Sequence, residues 1–279
     1  LNFPRLLRPP SGDSIMFDVG PRLARACLGF VLLALAPAAF ALNVAVYGSS
    51  NYVTAIQGGG NTATQITESQ IEAGILSYDV LMMGHSTDLT PAACTAIKAF
   101  LNAGKGVVTE WSDAYDVFTA TGPNVTGVSG TQCALFTGTV DYGGYVGTNT
   151  PLTITNTASP LVAGLPNPLA LQGGSEYFFT ISGFDTGVWS VVATFDGNTT
   201  TNNPAIMTAT YNGAGRVVVG AFDYGDELGV LANDNTMVND FVAFAATGSA
   251  PPPPPPVVTV PVPALGAAAL AALALMLAV

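Results

Sequence analysis

Positive charge, histidine and cysteine are all scarce in this 279-residue chain, and each scarcity excludes a class of function. Only seven residues are Lys or Arg, against eighteen Asp or Glu. Beyond residue 42 the cations are Lys98, Lys105 and Arg216 against sixteen acids, a net charge of −13. Because phosphate neutralisation needs a basic patch, we expect no nucleic-acid binding and no charge-driven adhesion to anionic lipid. The chain has a single histidine, His85, and no cluster of cysteines, so it offers few ligands for zinc.

The N-terminal region has the pattern of an export signal. Arg22 and Arg25 precede an apolar run over residues 26–40, which closes with the small-x-small triplet Ala39-Phe40-Ala41. This order is typical of a secretory signal peptide. We therefore predict that residues 1–41 are a leader and signal helix, used by the export machinery and cleaved by signal peptidase before Leu42. An uncleaved membrane-anchor helix is the alternative.

The C-terminal region combines a proline-rich linker with an apolar tail. Residues 248–263 contain six consecutive prolines, which form an extended spacer. Residues 264–279 are uncharged and apolar, and as a helix they would extend about 24 Å, less than the roughly 30 Å hydrocarbon core of a bilayer.

Together with the sequence VPVPALG at 260–266, this arrangement resembles the IPTL-type sorting signals of bacterial exosortase-processed envelope proteins, although Ala264 stands where such signals usually carry Thr. The resemblance implies an exosortase-type processing enzyme as partner and a location at the cell envelope, membrane-anchored or released after processing. An ordinary tail anchor or a low-complexity tail is the alternative.

Residues 42–247 are predicted to form one α/β domain whose first half alternates strands with helices. Thr90 and Pro91 have the pattern of a helix cap and first helical residue. Gly58–Gly60 lacks the Lys-Ser/Thr pair of a phosphate loop and is predicted to be a flexible connection. The predicted elements are a strand at 42–47, a helix at 68–76, a strand at 78–83, a helix at 91–101 and a strand at 107–109. Such alternation indicates a parallel sheet with right-handed crossovers.

The second half of this domain is predicted to be rich in β-structure. The turn sequence Asn212-Gly213-Ala214-Gly215 indicates a hairpin. A closing helix is predicted at 235–246 from its apolar residues. The predicted strands lie at 152–155, 176–181, 188–195, 205–211 and 216–222.

Four segments, taken in order, resemble the type 1 glutamine amidotransferase-like domains, nearest to their trehalose-utilisation-protein-like branch. They are YDVL at 78–81, AGKGVV at 103–108, SPLVAGLP at 159–166 and GAGRVVVG at 213–220. The resemblance covers most of residues 43–246. It implies a flavodoxin-like fold, a three-layer sandwich in which helices cover both faces of a mostly parallel sheet.

A working amidotransferase of this superfamily needs a cysteine on a sharp strand-to-helix elbow, activated by a histidine. The corresponding position, after residues 107–109, is occupied by Glu110-Trp111-Ser112-Asp113. We therefore predict a domain without amidotransferase catalysis. Cys94 and Cys133 lie away from any predicted strand end, and in an exported protein they either form one disulfide or remain buried thiols.

Ligands of open parallel sheets bind outside the carboxyl ends of the strands. A polar small molecule or glycan is therefore expected at that edge. The predicted ligand-binding residues are Ser49, Asn51, His85, Trp111 and Asp223. One alternative is a hydrolase of carbohydrates or esters, with Glu110 or Asp113 as base and His85 as acid or orienting group. Another is a structural surface protein.

The acidic segment that follows the last predicted strand is a possible cation site. Asp223, Asp226 and Glu227 supply carboxylate oxygens of the kind that calcium prefers, without EF-hand spacing. Calcium is therefore the one cofactor that the sequence suggests. A solvated acidic loop is the alternative.

Overall fold

The computed structural model of the chain describes residues 41–84, 89–125, 132–145, 151–170, 177–195, 203–225 and 232–249. Within these ranges, no helix combines the length and the apolar character needed to cross a membrane. The predicted signal helix, apart from Ala41, and the predicted C-terminal apolar helix at 264–279 lie outside the described residues. Both remain predictions.

The first half of the domain alternates strands and helices, as its sequence predicts, with one further helix and one further strand. The elements are β1 (Asn43–Gly48), α1 (Asn51–Gly58), β2 (Thr62–Ile66), α2 (Glu68–Ala73), β3 (Val80–Gly84), α3 (Pro91–Asn102) and β4 (Gly106–Glu110). The further helix is α1, and the further strand is β2. Helix α3 begins at the predicted cap, because the Thr90 hydroxyl accepts the Ala93 N–H at 3.2 Å. Of the predicted connection at Gly58–Gly60, Gly58 is the last residue of α1, and Gly59 and Gly60 form the turn that leads to β2. The Gly59 N–H donates to the Ala55 carbonyl.

The second half is β-rich. A 3₁₀ turn (Trp111–Asp113) leads into this half, and a second (Pro160–Val162) precedes β8. The elements are α4 (Ala114–Val117), β5 (Phe118–Thr121), β6 (Phe136–Tyr145), β7 (Pro151–Ile154), β8 (Leu169–Ala170), β9 (Tyr177–Ser182), β10 (Trp189–Phe195), β11 (Pro204–Tyr211), β12 (Gly215–Gly220) and α5 (Ala232–Thr247).

One large sheet organises the molecule, with the strand order β2-β1-β3-β4-β12-β11-β10-β7-β8, and β5-β6-β9 form a smaller sheet. The pairings from β2 to β12 are parallel, and those from β12 to β8 are antiparallel. The prediction of a mostly parallel sheet is therefore wrong for the later half. The physical reason is loop length: the few residues between β11 and β12 permit a hairpin but not a crossover.

The register of the parallel strands brings their carboxyl ends into line. Gly48 pairs with Gly84 across β1 and β3, and Glu110 pairs with Gly220 across β4 and β12. Four strand ends therefore meet at one edge of the sheet, which we call the strand-end rim.

Helices cover the sheet in pairs: α1 packs against α5, and α2 packs against α3. The strands between them are apolar and fully buried, including Val44, Val46, Leu81, Val108 and Val218. Burial of these side chains supplies the main favourable free energy of folding. The sheet is thereby a firm base for the residues that follow its strand ends.

Candidate functional site

Glu110 is the last residue of β4 and is completely buried at the strand-end rim. Its Oε1 accepts the backbone N–H groups of Tyr224 and Gly225, each at 3.1 Å. Both donors belong to the segment that follows β12. The carboxylate therefore ties this segment to the end of β4, which is a structural role.

The chain bends sharply directly after Glu110. Trp111 has a φ of 41°, in the left-handed region that non-glycine residues rarely adopt, at a cost on the order of 1–3 kcal/mol. The 3₁₀ turn then leads to the buried Asp113 and into α4. The Trp111 ring is half-buried and lies 6.0 Å from the Phe179 ring, centroid to centroid. This strained bend is the elbow at which the resemblance leads one to expect a cysteine.

Two tyrosine rings fill the space above the strand ends. A Cβ at Gly84 would lie 2.1 Å from the Tyr52 ring, and a Cβ at Gly220 would lie 2.5 Å from the Tyr224 ring. Only glycine permits so close an approach. The two rings meet edge to face, with centroids 6.1 Å apart. Much of the rim is thus packed with aromatic side chains.

Both phenols are held in their protonated form. Burial first, and the nearby Glu110 carboxylate second, raise the pKa of Tyr52 well above its ordinary value. The same two causes, in the same order, raise the pKa of Tyr224, and Asp113 adds to the effect on both residues. Neither tyrosine is therefore a base near neutral pH.

Ser49 and Asn51 give the rim its accessible polar groups. Ser49 is half-buried, and its N–H donates to the Gly84 carbonyl at 2.8 Å. Asn51 is exposed, and its Nδ2 donates to the Gly225 carbonyl at 3.4 Å. The structure thus brings Asn51 to the same segment that Glu110 holds.

Of the remaining predicted site residues, Asp223 is a described residue and three others are not. Asp223 follows β12 and is buried, at 6% exposure. His85, Asp226 and Glu227 lie outside the described residues. Among the described residues, no group of three or more His, Cys, Asp or Glu side chains is placed to hold a metal ion. The calcium site and the role of His85 in the alternative hydrolase therefore stay predictions.

Cys94 and Cys133 are joined by a disulfide in the structure, with Cα atoms 4.8 Å apart. Both residues are buried. Cys94 lies in α3, and Cys133 precedes β6. With both sulfurs bonded to each other, neither is a free thiol in this state.

Three further buried residues are not among those predicted from the sequence. Tyr52 gives no signal because the sequence does not predict α1, and Tyr224 stands out only as part of an acidic segment. Asp240 lies on α5, where it is buried. The sequence does contain a signal for Asp240. This residue follows Met237 by three residues and precedes Phe244 by four, so helical periodicity places its carboxyl on the apolar face of the helix.

Comparisons with known proteins find similarity in fold. No family model matches the chain, and no curated protein matches it in sequence. A ThuA-like protein from Bacteroides uniformis ATCC 8492 is similar in structure, with a TM-score of 0.52 and 13% identity, over 77% of this chain and 98% of that one. The carbohydrate deacetylase Agd3 has a TM-score of 0.50 and 13% identity, over 75% of this chain and 32% of that one.

A GMP synthase subunit from Thermoplasma acidophilum is also similar, at 9% identity and a TM-score of 0.47, over 75% of this chain and 96% of that one. The ThuA-like match supports the amidotransferase-like fold that the sequence motifs predict. At 13% identity the likeness concerns the fold and not the activity.

Proposed function

We propose that the chain is an exported, non-catalytic glutamine-amidotransferase-like domain at the cell envelope, and that it binds a polar small molecule or glycan at the strand-end rim. The observation that carries the proposal is the elbow after β4. Where a nucleophilic cysteine is expected, the chain has Trp111, preceded by a carboxylate that already accepts two backbone N–H groups.

The chemistry of the rim argues against turnover. A general base must come within hydrogen-bond reach of a substrate proton, directly or through one water. Glu110 is 0% exposed, and access to it would require the segment at Tyr224 and Gly225 to be displaced. The two phenols are protonated, and the two sulfurs are bonded to each other. Asp113, the other proposed base, is also buried, at 2% exposure. These groups therefore give the rim no accessible base and no free thiol.

The groups that remain accessible suit a polar ligand. Asn51 offers an exposed amide, Ser49 a half-buried hydroxyl and Trp111 a half-buried aromatic ring. Amide and hydroxyl groups bind sugar hydroxyls by hydrogen bonds, and an aromatic ring adds apolar contact area. Because Agd3, which is similar in fold, is a carbohydrate deacetylase, glycans are the first ligand class to test here.

The proposal also includes the arrangement of the helices on the two faces of the sheet. We take the fold to be flavodoxin-like and three-layered, with the α1–α5 pair and the α2–α3 pair on opposite faces of the sheet. Right-handed crossovers support this arrangement, because β2 and β3 lie on opposite sides of β1 and are reached by successive helices.

Location and partners follow from the predicted ends of the chain. We propose export through a signal peptide, cleavage by signal peptidase and processing or membrane retention through residues 264–279. Deletion of residues 257–279 should move the protein from the cell envelope into the medium, as measured by fractionation and immunoblotting. If the truncated protein stays with the envelope, the sorting proposal is wrong.

Binding at the rim can be tested with matched asparagine variants. Asn51→Ala removes the rim amide, whereas Asn102→Ala removes an exposed amide at the end of α3. A glycan array on the purified protein, followed by calorimetry on the best binder, should give an affinity that Asn51→Ala weakens by about tenfold and Asn102→Ala leaves unchanged. Equal affinities in all three proteins would exclude the rim as the binding site.

A further inference from the structure

A groove between α1 and α5 lies apart from the strand-end rim. Its volume is about 460 Å³, within the range of about 300–1,000 Å³ that small-molecule pockets span. It is lined by residues of α1 from Thr54 to Gly58, by Gly59 directly after α1, and by residues of α5 that include Thr236 and Asp240. The rim contacts of α1, in contrast, come from its first two residues, Asn51 and Tyr52.

Asp240 gives this groove an uncompensated polar group. The residue is 5% exposed, and its Oδ2 has no hydrogen-bond partner among the described residues. A buried polar atom without a partner destabilises the folded state, and more so when it is charged. Native proteins rarely keep such a group without a use.

The neighbouring groups do not supply the missing donor. Asn239 Nδ2 donates to the carbonyls of Ala55 and Asn235, at 3.0 and 2.8 Å. None of the described residues that line the groove is Lys, Arg or His. Elsewhere, Lys105 pairs with Asp79 at 3.1 Å. Since the described part of the chain offers no partner for Asp240 Oδ2, we look for that partner in a ligand.

The character of the groove indicates what that partner is. The carboxyl end of α1 contributes the negative end of a helix dipole, which favours a cation. One carboxyl among neutral groups is too few anionic ligands for a divalent metal ion, which normally takes several. Gly58 and Ala55 leave room for a short carbon skeleton. A single positive charge on a small organic molecule fits this combination.

We propose that the groove between α1 and α5 binds a small organic amine, whose protonated nitrogen pairs with the carboxylate of Asp240. The hydroxyls of Thr54 and Thr236 lie in the same lining and can bind hydroxyl groups of the ligand. The class therefore includes aliphatic diamines and amino sugars. Their acetylated or hydroxyl counterparts have no cation to offer and should bind poorly.

This pairing makes binding depend on pH. Burial raises the pKa of Asp240 from 3.8 to about 7. Among the described residues that line the groove, no other side chain is titratable. Since the carboxylate form binds the amine, affinity for an alkylamine that stays protonated, such as 1,4-diaminobutane, should rise about tenfold from about pH 6 to about pH 8 as Asp240 loses its proton.

The test is calorimetry on the purified protein with 1,4-diaminobutane and glucosamine, against 1,4-butanediol and N-acetylglucosamine. We expect saturable millimolar or tighter binding of at least one amine, at least tenfold tighter than its neutral counterpart. Asp240→Asn keeps the side-chain shape and should abolish both the preference and its pH dependence. Asp185→Asn alters an exposed carboxylate and should change neither.

A second pair of variants tests the location without altering charge. A Cβ at Gly58 meets no atom within 4 Å, so Gly58→Ala is accommodated and should bind normally, whereas Gly58→Leu should fill the groove and block the amine. Lack of amine binding, equal binding of the neutral compounds, or unchanged binding in both Asp240→Asn and Gly58→Leu would overturn the proposal. Asn51→Ala should bind amine normally, which separates this site from the rim.

Discussion

Replacement of Glu110 by alanine should destabilise the protein severely, because the carboxylate holds two buried N–H groups. Tyr224 and Gly225 are both buried, and each donates to Oε1 at 3.1 Å. Each N–H left without an acceptor costs about 1–3 kcal/mol, so the pair sets a range of roughly 2–6 kcal/mol, and we expect a loss of about 4 kcal/mol. The measurement is the free energy of unfolding from urea or guanidinium denaturation.

Two control variants separate this role from a general effect of charge removal. Glu110→Gln keeps an acceptor oxygen at the same place and should lose less than about half as much. Glu72→Ala removes an exposed glutamate and should change stability by less than about 1 kcal/mol. If the free energy of unfolding of Glu110→Ala lies within about 0.5 kcal/mol of that of the unmodified protein, the structural role of Glu110 is refuted.

Three further predictions concern the disulfide, Asp240 and calcium. The Cys94→Ser, Cys133→Ser double variant should lose about 4 kcal/mol of stability, since the bond closes a loop with a sequence separation of 39, and denaturation of oxidised and reduced samples checks this. The raised pKa of Asp240 means that the folded state keeps a proton that the unfolded state releases near pH 4, so stability should fall as the pH rises from about 4 to about 7. Asp240→Asn should reduce this fall in stability by about 2 kcal/mol, a value that allows for screening by the solvent that reaches the groove. Identical dependence of stability on pH in the two proteins would contradict this prediction. Millimolar calcium should raise the Tm of the unmodified protein and not that of Asp223→Ala, and no shift in the unmodified protein would exclude the calcium site.

The first half of the fold is predictable where local signals are strong. The cap at Thr90 and the apolar stripe that follows it locate α3, and the apolar run at 78–83 locates β3. The sequence does not predict helix α1, because this helix is only eight residues long, contains the β-branched Val53 and Ile56, and ends in glycine.

Strands with a weak apolar pattern are harder to predict. In β2, the buried residues Ala63 and Ile66 are three positions apart, so the alternation typical of a half-buried strand is absent. Strand β6 contains three glycines and few large apolar residues, which leaves little strand signal in its sequence. In the antiparallel half of the large sheet, the β11–β12 hairpin has a local signal in its turn sequence, whereas the pairing of β10 with β7 joins segments that local patterns do not connect.

The site is predictable in its chemistry but not in its packing. The absence of cysteine from Glu110-Trp111-Ser112-Asp113 is visible in the sequence, and it leads to the expectation of a non-catalytic elbow. That Glu110 accepts two N–H groups from a segment over a hundred residues away depends on the pairing of β4 with β12. The same pairing brings Tyr224 over the strand ends, and no local pattern around this residue distinguishes its ring from the acidic side chains beside it.

The central claim, that the elbow after β4 is structural and the domain does not catalyse, is tested most directly by turnover. The measurement is hydrolysis of glutamine, nitrophenyl esters and glycosides by the purified protein, with Glu110→Gln and His85→Ala alongside. We predict the same background rate for all three proteins on every substrate. Hydrolysis above background by the unmodified protein, lost in Glu110→Gln or His85→Ala, would contradict the claim.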